Sequence, residues 1–228
     1  LALQSLLGKT DELKGKLDIA RSKGIEISAD IYPYTYWQST MQVLFPERNF
    51  NDRNEAEFVL SQITTPVGIT LTQFDPNPDY VGKTLQQISR IRKEDPPITL
   101  LALIEQTLGK DDSESIIAES MTEEDVIDLI KWNYTNICTD GGSDGGHPRG
   151  YGTYPRVLGK YVRESGLLSL EEAVYKMSGL VAKNMGLKGR GMLKIGNFAD
   201  IVIFDPETII DKATPQNSTE ISIGIETV

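Results

Sequence analysis

Cys138-Thr-Asp140-Gly-Gly-Ser-Asp-Gly-Gly-His147-Pro-Arg149-Gly is the stretch of this chain with the strongest signal for a fold class. A carboxylate stands at the end of a short predicted strand, 135–139, and a glycine-rich loop, a histidine and an arginine follow it. Barrels built from alternating strands and helices present reactive side chains in this way, at the carboxyl ends of parallel strands. The stretch therefore predicts an α/β fold with a functional site at the strand ends.

The sequence on both sides of this stretch has a repeating α/β pattern. Apolar residues at helical spacing predict a helix over 5–23, and Gly24 ends it before an alternating strand that runs towards Tyr34. Ser169 with Glu172 forms a capping box that starts a long helix over 169–185. Further elements are predicted as strands over 67–73 and 115–119 and as helices over 52–62, 82–93, 97–108 and 122–132.

Two regions depart from this pattern and predict a domain organisation. Residues 41–112 are too long to connect two neighbouring barrel strands, and insertions of that size are often lids or substrate-binding subdomains. The tail is rich in turns over 189–200 and then has an apolar run over 201–204, which we expect to be a buried strand. A small β domain is therefore predicted after a boundary near residue 187.

Composition restricts the classes of partner. The 228 residues have a formal net charge of −10, which disfavours nucleic acids and anionic membranes because neither is attracted to an acidic surface. No apolar run approaches the roughly 18 residues that a membrane-spanning helix needs. The single cysteine excludes an internal disulfide and suits a reducing compartment, so we expect a cytoplasmic protein. The first residue is not methionine and the last eight read as a strand, so we expect an internal portion of a longer protein.

Four segments together carry a resemblance to a known family. They are Tyr32-Pro-Tyr34, Asp140-Gly, His147-Pro-Arg149 and Gly196-Asn-Phe-Ala-Asp200-Ile-Val-Ile-Phe-Asp205. With them the chain resembles the N-acyl-D-amino-acid deacylase (D-aminoacylase) family of the amidohydrolase superfamily, whose members are metal-dependent TIM-barrel hydrolases. The resemblance runs essentially end to end and covers the second half of such an enzyme.

The resemblance implies a fold for each part of the chain. Residues 1–187 would be the C-terminal part of a metal-dependent (β/α)8 barrel, with the inserted substrate-binding or lid subdomain at about 41–112. Residues 188–228 would be part of a small β-sandwich domain. The histidines that bind metal in this family have no counterparts here, so most zinc ligands are expected upstream of Leu1, in the remaining N-terminal half of the enzyme or in a partner chain.

The resemblance also implies an activity, the zinc-dependent hydrolysis of the amide bond in small N-acyl-D-amino acids. Asp140 would contact the metal and act as base and then as acid, although an Asp-Gly-Gly sequence read alone is more typical of a turn. Arg149 would bind the substrate carboxylate with its planar fork of donors. Tyr32 and Ser39 would add hydroxyl donors, with Thr40 open as the alternative to Ser39, and His147 would line the pocket from the loop.

Two other functions stay open at this stage. A cyclic amidase of the dihydroorotase or hydantoinase type belongs to the same superfamily, although the pattern of Arg149 and Tyr32 argues against it. A non-catalytic fragment or binding subunit is favoured by the missing metal histidines. Cys138 has no partner base placed by the sequence, so a structural thiol is expected there rather than a nucleophile.

Overall fold

The chain divides into two units in the computed structural model, which describes residues 3–143 and 145–228. The first unit contains the residues up to Gly8 and Thr35–Thr122, and the second contains Lys9–Tyr34 and Glu123–Val228. The first unit is therefore almost entirely one continuous segment, which interrupts the sequence of the second unit.

Helices and strands alternate along most of the chain. The α-helices are α1 (Thr10–Ser22), α2 (Arg53–Phe58), α3 (Leu85–Arg92), α4 (Pro96–Thr107), α5 (Glu123–Lys131), α6 (Arg149–Arg156), α7 (Leu170–Met177) and α8 (Gly179–Asn184). The strands are β1 (Ala29–Ile31), β2 (Tyr36–Ser39), β3 (Ile69–Phe74), β4 (Glu114–Glu119), β5 (Thr135–Ile137), β6 (Ile203–Phe204) and β7 (Ile225–Thr227). Short 3-10 turns lie at Gln4–Leu6, Met41–Leu44 and Pro78–Tyr80, and π-helical turns extend α2 over Val59–Ile63 and α6 over Val157–Glu164.

The second unit has a parallel strand pair beside two helices. β1 pairs with β5 in parallel, so that Ile31 lies opposite Ile137. Parallel strands need a crossover connection, and here the chain passes through the whole first unit and α5 between them. Side chains join α1 to the α5 region: the Thr10 hydroxyl donates to Asp128, 2.8 Å away. This arrangement confirms the predicted α/β class.

The first unit has its own sheet and its own core. β2, β4 and β3 form an antiparallel sheet in that order, with a register shift in β3 between Leu71 and Gln73. The apolar side chains of the sheet pack against α2, α3 and α4, and sixteen buried residues between Met41 and Ala118 form one cluster. Asp95 starts α4 by accepting from the Ile98 N–H, and Pro96 follows at the first helical position, as expected for a helix N-terminus.

Most predicted elements are confirmed, but three boundaries were wrong. The helix predicted over 5–23 begins only at Thr10, after Gly8 adopts φ 70°. The strand predicted from Gly24 is limited to β1. The long helix predicted over 169–185 does start with the Ser169–Glu172 capping box, yet it breaks at Ser178, where φ is −135° and ψ is −70°. The break is local, because α8 resumes at once.

The tail also differs from its prediction in burial. Residues 201–204 were expected to form a buried strand, but only Ile203–Phe204 are a strand, paired antiparallel with β7. Ile201, Val202 and Ile203 are each about half exposed. The apolar run pairs with β7. Among the described residues, no further layer covers it. Within residues 3–143 and 145–228, no helix has both the length and the apolarity needed to cross a bilayer.

Candidate active site

The candidate site begins where two parallel strands end. Tyr32 follows β1 directly, and Asp140 stands three residues beyond the end of β5. The Cys138 N–H continues the ladder by donating to the Ile31 carbonyl at 3.0 Å. Because both carboxyl ends lie at the same edge of the strand pair, the phenol and the carboxylate belong to one edge, as the sequence predicted.

Asp140 has an unusual backbone conformation and an ionic partner. Its φ of 45° lies in the left-handed region, which aspartate tolerates better than most residues. Its side chain is 65% exposed, and Oδ2 lies 2.9 Å from Nη1 of Arg149. Non-glycine residues held in this region concentrate at functional sites, where the surrounding structure maintains them.

Glycines allow Arg149 to approach this carboxylate. Arg149 is the first residue of α6, and the loop after Asp140 packs directly against that helix start. A Cβ on Gly141 would lie 2.6 Å from Cα of Gly150, and a Cβ on Gly150 would lie 2.5 Å from the Gly142 carbonyl oxygen. These distances leave no space for a side chain at either position. The glycines therefore allow the loop to bring the Asp140 carboxylate close to the Arg149 guanidinium.

Arg149 is buried but has donor capacity to spare. Its side chain is only 10% exposed, and its guanidinium carbon lies 4.7 Å from the centroid of the Tyr32 ring. Among the residues that the structure describes, none accepts a hydrogen bond from its buried Nε. A buried donor without an acceptor is costly, and a ligand carboxylate is the group that a guanidinium fork fits best.

The side chain of Tyr32 is a neutral phenol beside Arg149. Burial raises the pKa of the Tyr32 phenol, and the positive charge of Arg149 offsets part of that effect. The phenol therefore keeps its proton at neutral pH, so that it can act as a hydrogen-bond donor.

His147 lies within the same group of residues and is 3% exposed. Its Nδ1 accepts a hydrogen bond of 3.0 Å from the backbone N–H of Arg149. Two tyrosine rings pack against its ring in T-shaped contacts, with centroid distances of 5.8 Å to Tyr32 and 5.3 Å to Tyr34. The second unit thus brings together four of the five predicted site residues: Tyr32, Asp140, His147 and Arg149.

Ser39, the fifth predicted residue, belongs to the first unit. It ends β2, where it lies opposite Ile116 of β4 and is half-buried. Thr40, the alternative that the sequence left open, is the next residue and precedes the 3-10 turn at Met41–Leu44. The role of either hydroxyl stays a prediction.

Cys138 lies behind the site and is poorly suited to react. Burial, followed by the negative charges of Asp30 and Asp140, raises the pKa of its thiol to about 11. A thiol with that pKa is protonated at neutral pH, and the thiolate is the form that attacks substrates or binds metals. This agrees with the structural role expected for Cys138.

Further side chains support the site, and sequence reasoning missed them. Arg156 of α6 donates to the Pro33 carbonyl at 2.9 Å and to Oδ2 of Asp211 at 3.1 Å. Its guanidinium also lies 4.8 Å from the Tyr34 ring centroid. Asp211 is 55 residues away from Arg156 along the chain, so no local motif could have indicated this pair. Tyr34 was visible in the Tyr32-Pro-Tyr34 segment, but its contact with His147 was not.

These residues do not build a metal centre by themselves. Over 3–143 and 145–228, no group of three or more His, Cys, Asp and Glu side chains is placed to hold a metal ion. Asp140 could supply one carboxylate ligand, and burial disfavours the thiolate form of Cys138 that a metal would bind. Zinc sites in proteins use three or four protein ligands, so this donor set does not fit a zinc ion without further ligands.

Comparison with known proteins places these residues in a family. The model of the amidohydrolase family matches residues 136–225. The chain is 34% identical over 223 residues to an N-acyl-D-glutamate deacylase of Alcaligenes xylosoxydans xylosoxydans. The aligned residues cover 97% of this chain and 41% of the relative. It is 49% identical over 110 residues to a D-aminoacylase of the same organism, covering 47% of this chain and 23% of that relative.

Solved structures agree with the sequence relatives. An N-acyl-D-glutamate deacylase from Bordetella bronchiseptica, complexed with zinc and a phosphonate inhibitor, matches with a TM-score of 0.76 and 31% identity over 96% of this chain. A D-aminoacylase studied for its binuclear metal centre matches with a TM-score of 0.76 and 32% identity. The chain spans 42% and 41% of those two structures, or about two fifths of their length. The match extends over nearly the whole chain, and the chain belongs to the D-aminoacylase group of the amidohydrolase family.

Proposed function

We propose that the protein to which this chain belongs hydrolyses the amide bond of N-acyl-D-amino acids. The observation that carries the proposal is the pairing of an exposed Asp140 with a buried Arg149 whose Nε has no acceptor among the described residues. The relatives support the substrate class, since they include an N-acyl-D-glutamate deacylase and a D-aminoacylase.

Arg149 and Tyr32 would hold the α-carboxylate of the substrate. The guanidinium offers Nε and the remaining edge of its fork, and the phenol of Tyr32 is neutral and able to donate. Ser39 or Thr40 would add a hydroxyl donor, and His147 would complete the wall of the pocket. Fixing the carboxylate orients the substituents at Cα, so that one configuration presents its acyl group to the reacting water.

Asp140 would move the proton. It takes a proton from the water as the water oxygen bonds to the acyl carbon, and it delivers that proton to the amide nitrogen as the carbon–nitrogen bond breaks. The products are a carboxylate and a free amino acid. General acid–base catalysis of this kind needs a carboxylate within hydrogen-bond reach of the water, which suits the exposed position of Asp140.

Zinc is part of the proposal, although this chain does not hold it alone. A zinc ion would supply Lewis-acid chemistry, and at most Asp140 of the described residues would touch it. We propose that the other ligands come from further residues of the enzyme or from a partner chain. A second candidate, a non-catalytic binding subunit, is favoured by the same lack of a metal cluster among the described residues.

The domain organisation is proposed on the same grounds. Residues 1–187 would form the C-terminal part of a TIM-type (β/α)8 barrel, with an inserted subdomain at about 41–112, and residues 188–228 would form part of a small β-sandwich. The parallel pairing of β1 with β5, and the fact that the first unit falls between these two strands in the sequence, support the assignment of the barrel part and its insertion. A cytoplasmic location remains a proposal that rests on the single cysteine.

Substitution of Arg149 tests the proposed function. In the zinc-loaded full-length protein, Arg149→Met should raise KM for N-acetyl-D-amino acids and leave the KM for their carboxamide analogues unchanged, because the carboxamides lack the charge that arginine binds. Hydantoins serve as the control for a cyclic amidase. An unchanged KM for the acids in this variant, or faster turnover of the cyclic amides than of the open ones, would contradict the assignment. Zinc-loaded protein of native length with no hydrolase activity would favour the binding subunit.

A further inference from the structure

We infer that His147 is a positioning residue that fixes Arg149, and that it does so as a neutral imidazole with Nδ1 unprotonated. This deepens the proposed function and rests on it for the identity of the substrate. The backbone N–H of Arg149 donates to Nδ1 of His147 at 3.0 Å. A neutral imidazole that accepts at Nδ1 carries its proton on Nε2, so the contact selects one tautomer.

The hydrogen bond satisfies a helix end that otherwise has no side-chain cap. Arg149 begins α6, and Pro148, which precedes it, makes no side-chain capping bond. The first N–H groups of an α-helix have no acceptor within the helix. His147 supplies one from two residues upstream, which is the relation that Asn and Asp side chains make in an Asx turn.

The imidazole ring contacts the other support of Arg149. The Tyr32 ring, whose centroid lies 4.7 Å from the Arg149 guanidinium carbon, meets the His147 ring at 5.8 Å and an interplanar angle of 69°. The Tyr34 ring also meets the His147 ring, at a centroid distance of 5.3 Å and an interplanar angle of 89°. His147 therefore fixes the backbone of Arg149 by a hydrogen bond and its guanidinium through the Tyr32 ring.

Histidine combines the two properties that this position uses, an aromatic ring and an acceptor within that ring. Asparagine supplies an acceptor without an aromatic ring, and phenylalanine supplies a ring without an acceptor. His147 is buried, only 3% exposed. Its replacement by a residue without an acceptor would be destabilising, because the buried Arg149 N–H would lose its hydrogen bond. For catalysis, the consequence is that His147 keeps the Arg149 guanidinium oriented towards Oδ2 of Asp140 and towards the substrate carboxylate.

Three variants of the full-length zinc-loaded protein separate these contributions. We expect His147→Leu to lower kcat/KM for N-acetyl-D-alanine by about 100-fold, the cost of a misplacement near 1 Å, mainly through KM. His147→Asn should recover most of that loss because it restores the acceptor, and His147→Phe should not. Ser169→Ala is the matched control, since it removes a side-chain hydrogen bond from the Glu172 N–H at the start of α7 and should leave KM unchanged.

Two readouts are independent of turnover. Calorimetric binding of N-ethyl-D-alanine, which retains the carboxylate but has no amide to hydrolyse, should weaken in His147→Leu and return in His147→Asn. Nitrogen NMR of ¹⁵N-histidine-labelled protein, assigned by the signal lost in His147→Asn, should show His147 neutral and protonated on Nε2 at pH 7.

The outcomes distinguish this inference from the proposed function. Equal effects of the Leu and Asn variants on ligand binding, or an Nδ1-protonated ring, would overturn the positioning role. Absence of hydrolysis by the wild-type protein, with the expected tautomer and binding pattern, would overturn the deacylase assignment and leave the role of His147 in carboxylate binding intact.

Discussion

At the scale of single residues, Asp140 carries the proposed chemistry, and its backbone makes a clean test possible. Asparagine tolerates the left-handed region as aspartate does, so Asp140→Asn should preserve the φ of 45° and the fold. We expect kcat to fall by about 10²- to 10⁴-fold, the usual contribution of a general acid–base group. Steady-state kinetics together with a thermal unfolding curve measures both effects.

A matched substitution controls for the loss of an ion pair. Asp200 forms an exposed pair with Arg190, and Asp200→Asn should leave kcat unchanged. Turnover near the wild-type value in Asp140→Asn would remove Asp140 from the mechanism. The same loss in both variants would point to a general effect of charge.

We expect Glu114 to make the stability of the first unit depend on pH. Burial raises the pKa of this carboxyl to about 7, although the Met41 N–H donates to it. The folded state thus binds the proton more tightly than the unfolded state, whose pKa is near the ordinary value of 4.5. The stabilisation is complete below pH 4.5 and is lost as the pH rises to 7, by about 3 kcal/mol for one fully shifted group.

Urea unfolding at pH 5 and pH 8 measures this effect. The wild-type protein should lose stability between the two values, and Glu114→Gln should reduce the difference because it removes the titrating group. Glu172→Gln is the control, since a hydrogen bond from the Ser169 backbone lowers the pKa of Glu172. That carboxylate is charged at both pH values, so its removal should leave the difference between them unchanged. An equal pH dependence in the wild type and in Glu114→Gln would contradict the assignment.

The residue types of the site could be predicted from the sequence, but their contacts could not. Asp140, Arg149 and Tyr32 stand in short segments next to predicted strand ends, which is local information. The acceptor role of His147 depends on the orientation of its ring. The Arg156–Asp211 pair joins residues far apart in sequence, and such contacts are set by tertiary packing.

At the scale of elements, the close packing of the glycine-rich loop against α6 aligns the site. We expect Gly141→Ala to lower kcat/KM strongly, because its Cβ would lie 2.6 Å from the backbone of Gly150 and would force the loop away from Arg149. Gly15→Ala in α1 is the control. Its Cβ has no atom within 4 Å, so it should raise stability by up to about 1 kcal/mol without a change in kinetics. Normal kinetics in Gly141→Ala would show that the loop contact does not align the site.

Element boundaries show where local sequence signals end. The Ser169–Glu172 capping box fixed the start of α7 correctly, because both halves of that motif lie within four residues. The break at Ser178 was not predicted, although Gly179 is a poor helix former, because residues 180–184 continue the helical pattern. The exposure of 201–203 was also missed, because an apolar run does not reveal how much of the chain covers it.

At the scale of the whole molecule, the first unit has the properties of an independent domain. Its buried cluster lies entirely between Met41 and Ala118. Its ends meet, because the N–H groups of Ser120 and Met121 donate to the Thr35 carbonyl at 3.2 and 3.0 Å. We expect an excised fragment of residues 35–122 to fold cooperatively, as measured by urea denaturation with Trp37 fluorescence.

Disruption of the core provides the control for that fragment. Leu103→Ala, at a fully buried position of α4, should destabilise it by about 2–5 kcal/mol. A fragment without a cooperative transition would mean that the first unit depends on the second for its stability.

The most direct test of the whole account is the rate at which zinc-loaded full-length protein releases the amino acid from N-acetyl-D-glutamate and from its L enantiomer. The account predicts hydrolysis of the D compound in preference to the L compound, and its loss in Asp140→Asn. Hydrolysis of neither enantiomer, nor of any other N-acetyl-D-amino acid, would contradict the account.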